Sequence, residues 1–235
     1  MALYDPIARI YDPWSRSVTE DVGFYVDQAL SVGGPVVELA VGTGRIAVPI
    51  AEAGVAVIGI DASPRMLAFA GEAARAAGVE ALVDLRLGDL ADPPVPERVP
   101  LVICPFRSLL HMEDEPAKLR ALQAARALLV SEGRFVFDVF APSAEDIEET
   151  HDLWVEREPG IFERAVWDES ARTLSLSVRS GSVSATFALH WLSLPEWLRL
   201  LDLAGFEVES TYGWFDLRPH DGEEDMIFVC RGQRK

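Results

Sequence analysis

The residues best placed to do chemistry are three acids, each closing an apolar run. Glu38 follows Val36-Val37, Asp61 follows Val55-Ala56-Val57-Ile58-Gly59-Ile60, and Asp89 follows Leu85-Arg86-Leu87-Gly88. After Glu38 come Leu39-Ala40-Val41-Gly42-Thr43-Gly44-Arg45-Ile46. A run that ends on an acid, passes through Gly-x-Gly and resumes with helical spacing describes a strand, a tight loop and a helix N-terminus. Such a junction binds small molecules. Gly42 and Gly44 permit positive φ and leave the main chain open to a ligand, and the helix that follows turns its free N–H groups toward it. Asp61, 17 residues beyond Gly44, stands beside the same loop, where its carboxylate can grip ribose hydroxyls. Asp89 can accept from an adenine amino group. Packing alone does not explain three acids on successive strand ends.

The loop also fits the dinucleotide fingerprint G-x-G-x-x-A over Gly42 to Ala47. Two features argue against that reading. A pyrophosphate at the helix N-terminus would be repelled by an acid just upstream, and Gly88-Asp89 has no role in a dinucleotide site. Phosphate-loop binding lacks its Gly-Lys-Ser/Thr.

Taken together, these segments resemble the class I S-adenosylmethionine-dependent methyltransferases, small-molecule type. Glu38 to Gly44 stands where that family has an acid followed by L-G-C-G-T-G, with Asp61 at its ribose acid and Asp89 at its adenine-side acid. The resemblance covers residues 4–141, and more loosely the tail from about 190. Its motifs are specific in combination and weak singly. It implies a Rossmann-like α/β fold: a mostly parallel seven-stranded sheet with helices on both faces and an antiparallel β insertion after the fifth strand. It also implies S-adenosyl-L-methionine as cofactor and S-adenosyl-L-homocysteine as product, with Glu38 favouring the ligand's ammonium and sulfonium. Further cofactor contacts implied are Ala40, Gly42 and Gly44 of the loop, Ala62 and Met66 after the second strand, Gly88 and Leu90 around Asp89, and Cys104. Ala40 replaces the family's first glycine, a change that the two later glycines should make tolerable.

The elements that must position these residues are legible in outline. A chain of 235 residues with 49% hydrophobic content suits one α/β domain with an embellishment. Residues 1–32 hold an aromatic opening segment, Tyr4 to Trp14, and a helix from Thr19, as its cap, to Leu30; Gly33-Gly34-Pro35 stops it. Residues 33–141 form the cofactor core. Its strands end at Asp61, Leu87 and Cys104, with a fifth over Gly133 to Phe140; helices open at Ser63-Pro64 and span about Pro116 to Leu129. Strands alternating with helices call for a parallel sheet with right-handed crossovers. From 152 to 193 the apolar period shortens, with alternating stretches at 153–158, 162–167, 174–178 and 183–189, which predicts an antiparallel insertion. Residues 194–235 carry a helix ended by Gly205, then strands 206–214 and 226–230. Such insertions cover the substrate in amino-sugar and glycine N-methyltransferases, which this order resembles.

Composition narrows the partners. A net charge of −17 repels phosphate backbones over a Debye length of about 8 Å, so nucleic acid is excluded as a substrate. The acidity serves solubility or gathers a cationic amine. No apolar run approaches the roughly 20 residues of a membrane span, and no secretory leader is recognisable; the expectation is a cytoplasmic monomer or homodimer acting on a small-molecule acceptor. Cys104 and Cys230 are expected as buried free thiols. Glu113, Asp114 and Glu115 suit a helix start better than a metal, and none is expected.

For methyl transfer the protein must align nucleophile, methyl group and sulfur, and needs no catalytic triad. An amine has only to shed a proton, whereas a hydroxyl needs a general base more urgently. His111, in Phe106-Arg107-Ser108-Leu109-Leu110-His111 after the fourth strand, is the candidate base. The amino-sugar N-methyltransferases have a similar F-x-S-x-x-H facing substrate; packing beside the next helix is the competing role. Tyr4 and Tyr11, with Trp14, form either a lid over the cofactor or a hydrophobic staple. Arg45 either reaches the cofactor carboxylate or is solvated. Phe106, Arg107, Arg164 and Trp167 are the acceptor-site candidates, with packing the alternative for Trp167 and Trp191. The Asp/Asn-Pro-Pro-Tyr of DNA amino-methylation and the double-glutamate loop of protein arginine methylation are absent. A methyltransferase acting on an amine is the leading expectation; a hydroxyl acceptor, or a protein that binds the cofactor without catalysis, are the alternatives.

Overall fold

The computed structural model describes residues 3–222 and 224–233. After a short turn over Asp5–Ile7 come α1 (Ala8–Ser15), α2 (Glu20–Val32), β1 (Val36–Leu39), α3 (Ala47–Glu52), β2 (Val57–Asp61), α4 (Pro64–Ala76), β3 (Val83–Leu87) and β4 (Val99–Cys104). Then follow α5 (Glu115–Leu128), β5 (Leu129–Phe140), α6 (Ala144–Thr150), β6 (Trp154–Glu158), β7 (Ile161–Asp168), β8 (Thr173–Ser180), β9 (Val183–His190), α7 (Leu194–Leu203), β10 (Phe206–Tyr212) and β11 (Asp225–Gly232).

The main sheet has seven strands in the order β10-β11-β5-β4-β1-β2-β3, with β11 antiparallel to both neighbours. β1 pairs in parallel with β2 on one side and β4 on the other, so chain order reverses there. Open α/β sheets bind ligands at such a switch point, outside the carboxyl ends of the strands. Both faces are covered. α2 and α3 pack Phe24, Tyr25 and Ile50 against one, and α5 and α7 pack Leu122, Ala125, Trp197 and Leu200 against the other.

The local signals explain most boundaries. Ser63 caps α4 by accepting from the Met66 N–H at 3.0 Å, and Asp114 caps α5 by accepting from the Ala117 N–H at 2.7 Å. Gly33, left-handed at φ 63°, ends α2. Thr19 does not cap α2 through its side chain; the Glu20 carboxylate instead accepts from the Thr19 N–H at 2.9 Å. β5 starts four residues before Gly133, because Leu129 already pairs with Val99. The helix expected at the glycine loop begins only at Ala47 and runs six residues.

The insertion is a four-stranded meander, β6-β7-β8-β9. Helix α6, opened by a Ser143–Asp146 capping box, precedes the meander and was not anticipated. Its inner face meets the opening segment, where Ile7 packs with Ile161, Val178 and Phe187. Cys104 and Cys230 are buried free thiols. Among the described residues no helix is long and apolar enough to cross a membrane.

Candidate active site

A cavity of about 210 Å³, open to solvent, lies along the carboxyl ends of β1 to β4. Ala40 and Gly42 from the loop after β1 form one wall. Ile60, Asp61, Ala62, Ser63 and Met66 continue it, followed by Gly88, Asp89 and Leu90. The far end is made by Phe106, Ser108, His111 and Met112, and Leu3, Tyr4 and Tyr11 of the opening segment line the cavity as well.

The loop has the expected glycine conformations, with Gly42 at φ 57° and Gly44 at φ 87°. Ala40 too is left-handed, at φ 58°, so the replaced glycine is not made harmless by its neighbours. A Cβ in this region costs roughly 1 kcal/mol or more. Asp61 is anchored from both sides: Oδ2 accepts from the Gly42 N–H at 2.9 Å and Oδ1 from the Ser63 N–H at 2.8 Å. Burial raises its pKa, and these N–H bonds oppose the rise. Each oxygen keeps a lone pair for a further donor, as a ribose diol would supply. Asp89 is exposed at the cavity edge and accepts from the Ala91 N–H at 2.8 Å.

The opening segment bridges the core and the insertion. Asp5 accepts from the Ser63 hydroxyl, and Asp12 accepts from the Thr43 hydroxyl at 2.5 Å. Tyr4 stacks on Phe187 of β9 at 4.3 Å and meets Tyr11 edge-on at 5.6 Å. Trp14 donates to Glu163 of β7 at 2.9 Å. The aromatic residues therefore face the cavity and the insertion, and do not serve as a staple for α2.

His111 ends a short turn over Ser108–His111, and its Nε2 lies 2.9 Å from the Tyr4 hydroxyl. Burial pushes its pKa down to about 4, against the Ala188 carbonyl and with Lys118 and His190 adding to the depression. The ring is thus neutral at physiological pH. Nδ1 is buried without a hydrogen-bond partner among the described residues. The Tyr4 hydroxyl and Nε2 share one hydrogen bond, whose donor is set by the ring tautomer. Burial also raises the Tyr4 pKa well above the phenol range, which keeps its proton in place.

Several expected contacts lie elsewhere. Arg45 neither lines the cavity nor is solvated: it pairs bidentately with buried Asp21 at 2.6 Å and sits 4.8 Å over the Phe106 ring. Glu38 is only 2% exposed and is absent from the cavity wall. Burial raises its pKa well above the usual range, and Oε2 has no partner among the described residues. Cys104 is wholly buried behind the wall. Arg107 turns outward to Asp225 at 2.8 Å and over Phe140. Arg164 is held by Asp152 on the insertion, and Trp167 packs edge-on against Phe140 and Trp191. Neither lines the cavity: register places Arg164 opposite Trp154 and Ser177, and Trp167 opposite Leu174. Of the acceptor-site candidates, only Phe106 does.

Sequence reasoning missed Leu3, Ile60, Ser63, Ser108 and Met112 of the lining, and missed Asp138 altogether. Asp138 is 6% exposed within Phe135-Val136-Phe137-Asp138-Val139-Phe140, and an acid inside so apolar a strand was a readable signal. Among the described residues no group of His, Cys, Asp or Glu converges as a metal site requires.

Residues 36–133 match the family model described as a methyltransferase domain. The whole chain is similar to the CcbJ methyltransferase of Streptomyces caelestis, at 27% identity, with a TM-score of 0.87 over 99% of each chain. An S-adenosylmethionine-dependent methyltransferase from Clostridium acetobutylicum is 15% identical, with a TM-score of 0.81 over 98% of this chain and 99% of that one. CalS10 from Micromonospora echinaspora, an amino pentose methyltransferase solved with S-adenosylmethionine, is 18% identical, with a TM-score of 0.67 over 95% and 97%. No curated protein matches the chain. The fold, the glycine loop with Asp61 beside it and the matched domain are those of a methyltransferase. Residues 36–133 therefore carry an enzyme domain, one that transfers methyl groups.

Proposed function

We propose that this protein transfers a methyl group from S-adenosyl-L-methionine, its cofactor, to an amine nitrogen of a small-molecule acceptor. The observation that carries the reading is the division of one cavity. Its near wall offers Asp61 to a ribose and Asp89 to an adenine edge, while its far end offers Tyr4, Phe106, Ser108, His111 and Met112, none of them charged at neutral pH. When bound, the cofactor supplies a methyl group that is already activated. The residues around it then have to orient the acceptor and exclude water, which at effective molarities of about 10⁵ to 10⁸ M is worth several kcal/mol.

The Tyr4 hydroxyl shares a hydrogen bond with His111 Nε2, and its oxygen keeps a lone pair for an acceptor N–H. His111 has its basic nitrogen engaged and its pKa lowered to about 4, which makes it a poor base for a hydroxyl. A neutral amine needs no such base, only a place to leave its proton after transfer. The apolar, uncharged far end also favours an acceptor that enters neutral. The likeness to an amino pentose methyltransferase supports the same class of acceptor. A net charge of −17 argues against nucleic acid.

Calorimetry with S-adenosyl-L-homocysteine tests the cofactor half: binding should be tight and nicotinamide nucleotides should show none. A panel of amines and phenols, assayed for release of S-adenosyl-L-homocysteine, tests the acceptor half. Turnover with phenols and none with amines would overturn the amine reading.

A further inference from the structure

The segment from Pro105 to Met112 carries Phe106, Ser108 and His111 to the cavity, yet has only four residues of regular structure. Its start is strained. Phe106 and Arg107 are consecutive left-handed non-glycine residues, at φ 59° and 61°. Each such residue costs on the order of 1 kcal/mol or more, and both persist only if the surroundings impose them.

A buried carboxylate imposes them. Asp138 of β5 accepts from the Phe106 N–H at 2.8 Å through Oδ1 and from the Arg107 N–H at 3.0 Å through Oδ2. The Tyr25 hydroxyl of α2 donates to Oδ1 at 2.6 Å and fixes the carboxylate from the other side. The end of the segment is held by the opposite charge. Lys118 of α5, wholly buried, donates from Nζ to the Met112 carbonyl at 2.5 Å.

We propose that Asp138 and Lys118 are positioning residues for methyl transfer, a carboxylate and an ammonium that clamp the two ends of the 105–112 segment and so set Phe106 and His111 against the cavity. The assignment rests on the reading of that cavity as the transfer site. Burying either charge is costly unless it is hydrogen-bonded, and neither is needed to fill the core. Burial raises the Asp138 pKa to about 6, with Asp21 adding to the rise and Tyr25, Arg107 and the Phe106 N–H opposing it; Arg45 and the Cys104 thiol also face this carboxylate. Burial lowers the Lys118 pKa to about 8, opposed by Asp114 and Glu115, with His111 and His190 nearby. The two groups are charged together between these values.

Hydrogen exchange of the full chain, followed by mass spectrometry at pH 7.5 without ligand, reads the clamp directly. Asp138→Asn removes one acceptor from the pair of amides, and peptides covering 105–112 should exchange about tenfold faster, with β1 and β2 unchanged. Lys118→Met should loosen the Met112 end of the same segment, and Lys118→Arg should restore part of the protection. Tyr25→Phe leaves both amide bonds intact and should lie between wild type and Asp138→Asn. If Asp138→Asn does not fold, Lys118→Met and Lys118→Arg carry the test at the Met112 end. Wild-type protection of 105–112 in a folded Asp138→Asn variant, or in Lys118→Met, overturns the proposal. None of these readouts needs an acceptor. If exchange behaves as expected but no amine is methylated, the clamp stands and the functional reading fails.

Discussion

The two ends of the cavity are built in different ways. At the end proposed for the cofactor the lining is main chain and a carboxylate, Asp61, held by two N–H groups within the same pair of strand ends. The end proposed for the acceptor is assembled from side chains borne by distant parts of the chain. Tyr4 from the opening segment, His111 after β4 and Phe187 of the insertion meet within 6.1 Å of one another. A site made of one local motif is prescribed by a short stretch of sequence, whereas a site made of three segments depends on long-range packing. The difference teaches which perturbations should stay local.

The largest effect is expected where the comparison is sharpest. Asp61→Ala should weaken S-adenosyl-L-homocysteine by at least about tenfold and up to several hundredfold, since hydrogen bonds to a charge contribute roughly 1.5–3 kcal/mol each. His111→Ala should change that affinity by less than about twofold. Equal losses in calorimetry would erase the division of the cavity.

A second effect is thermodynamic. Asp138 has a folded pKa of about 6, above that of the unfolded chain, so it binds its proton more tightly when folded. Its contribution to stability is therefore complete below about pH 4 and is lost as pH rises through 6. The stability of wild type relative to Asp138→Asn should fall by on the order of 2–3 kcal/mol between pH 4 and pH 7 in urea titrations. A constant difference would mean that the carboxylate is not buried as described.

On the acceptor side, Tyr4→Phe and His111→Ala should each lower turnover by about tenfold, and the double variant should lose little more, because the two side chains act as one hydrogen-bonded unit. Additive losses would separate them and restore His111 as an independent base. The smallest change is at Ala40. Ala40→Gly relieves the left-handed strain and should stabilise the protein by about 1 kcal/mol, read as a rise in thermal midpoint.

Legibility followed the same division. The strand ends at Asp61 and Gly88, the loop glycines and the alternation of β and α were visible because each is fixed by neighbours in sequence. The insertion's four strands were visible through their alternation, but not which face met the cavity, since period two marks both faces alike. Arg164 and Trp167 were placed at the acceptor for that reason, and packing against Asp152, Phe140 and Trp191 claimed them. Arg45 was misread because its partner, Asp21, lies 24 residues upstream on another helix. Tyr25 and Asp138 are 113 residues apart, and no local pattern joins them.

The opening segment has a kinetic consequence. It is fastened to the nucleotide-binding wall through Asp5 with Ser63 and Asp12 with Thr43, and to the insertion through Trp14 with Glu163. Trp14→Phe frees the strap from the insertion and should speed the departure of S-adenosyl-L-homocysteine past Tyr4 and Tyr11; an unchanged release rate in stopped-flow would show that the strap does not gate the exit.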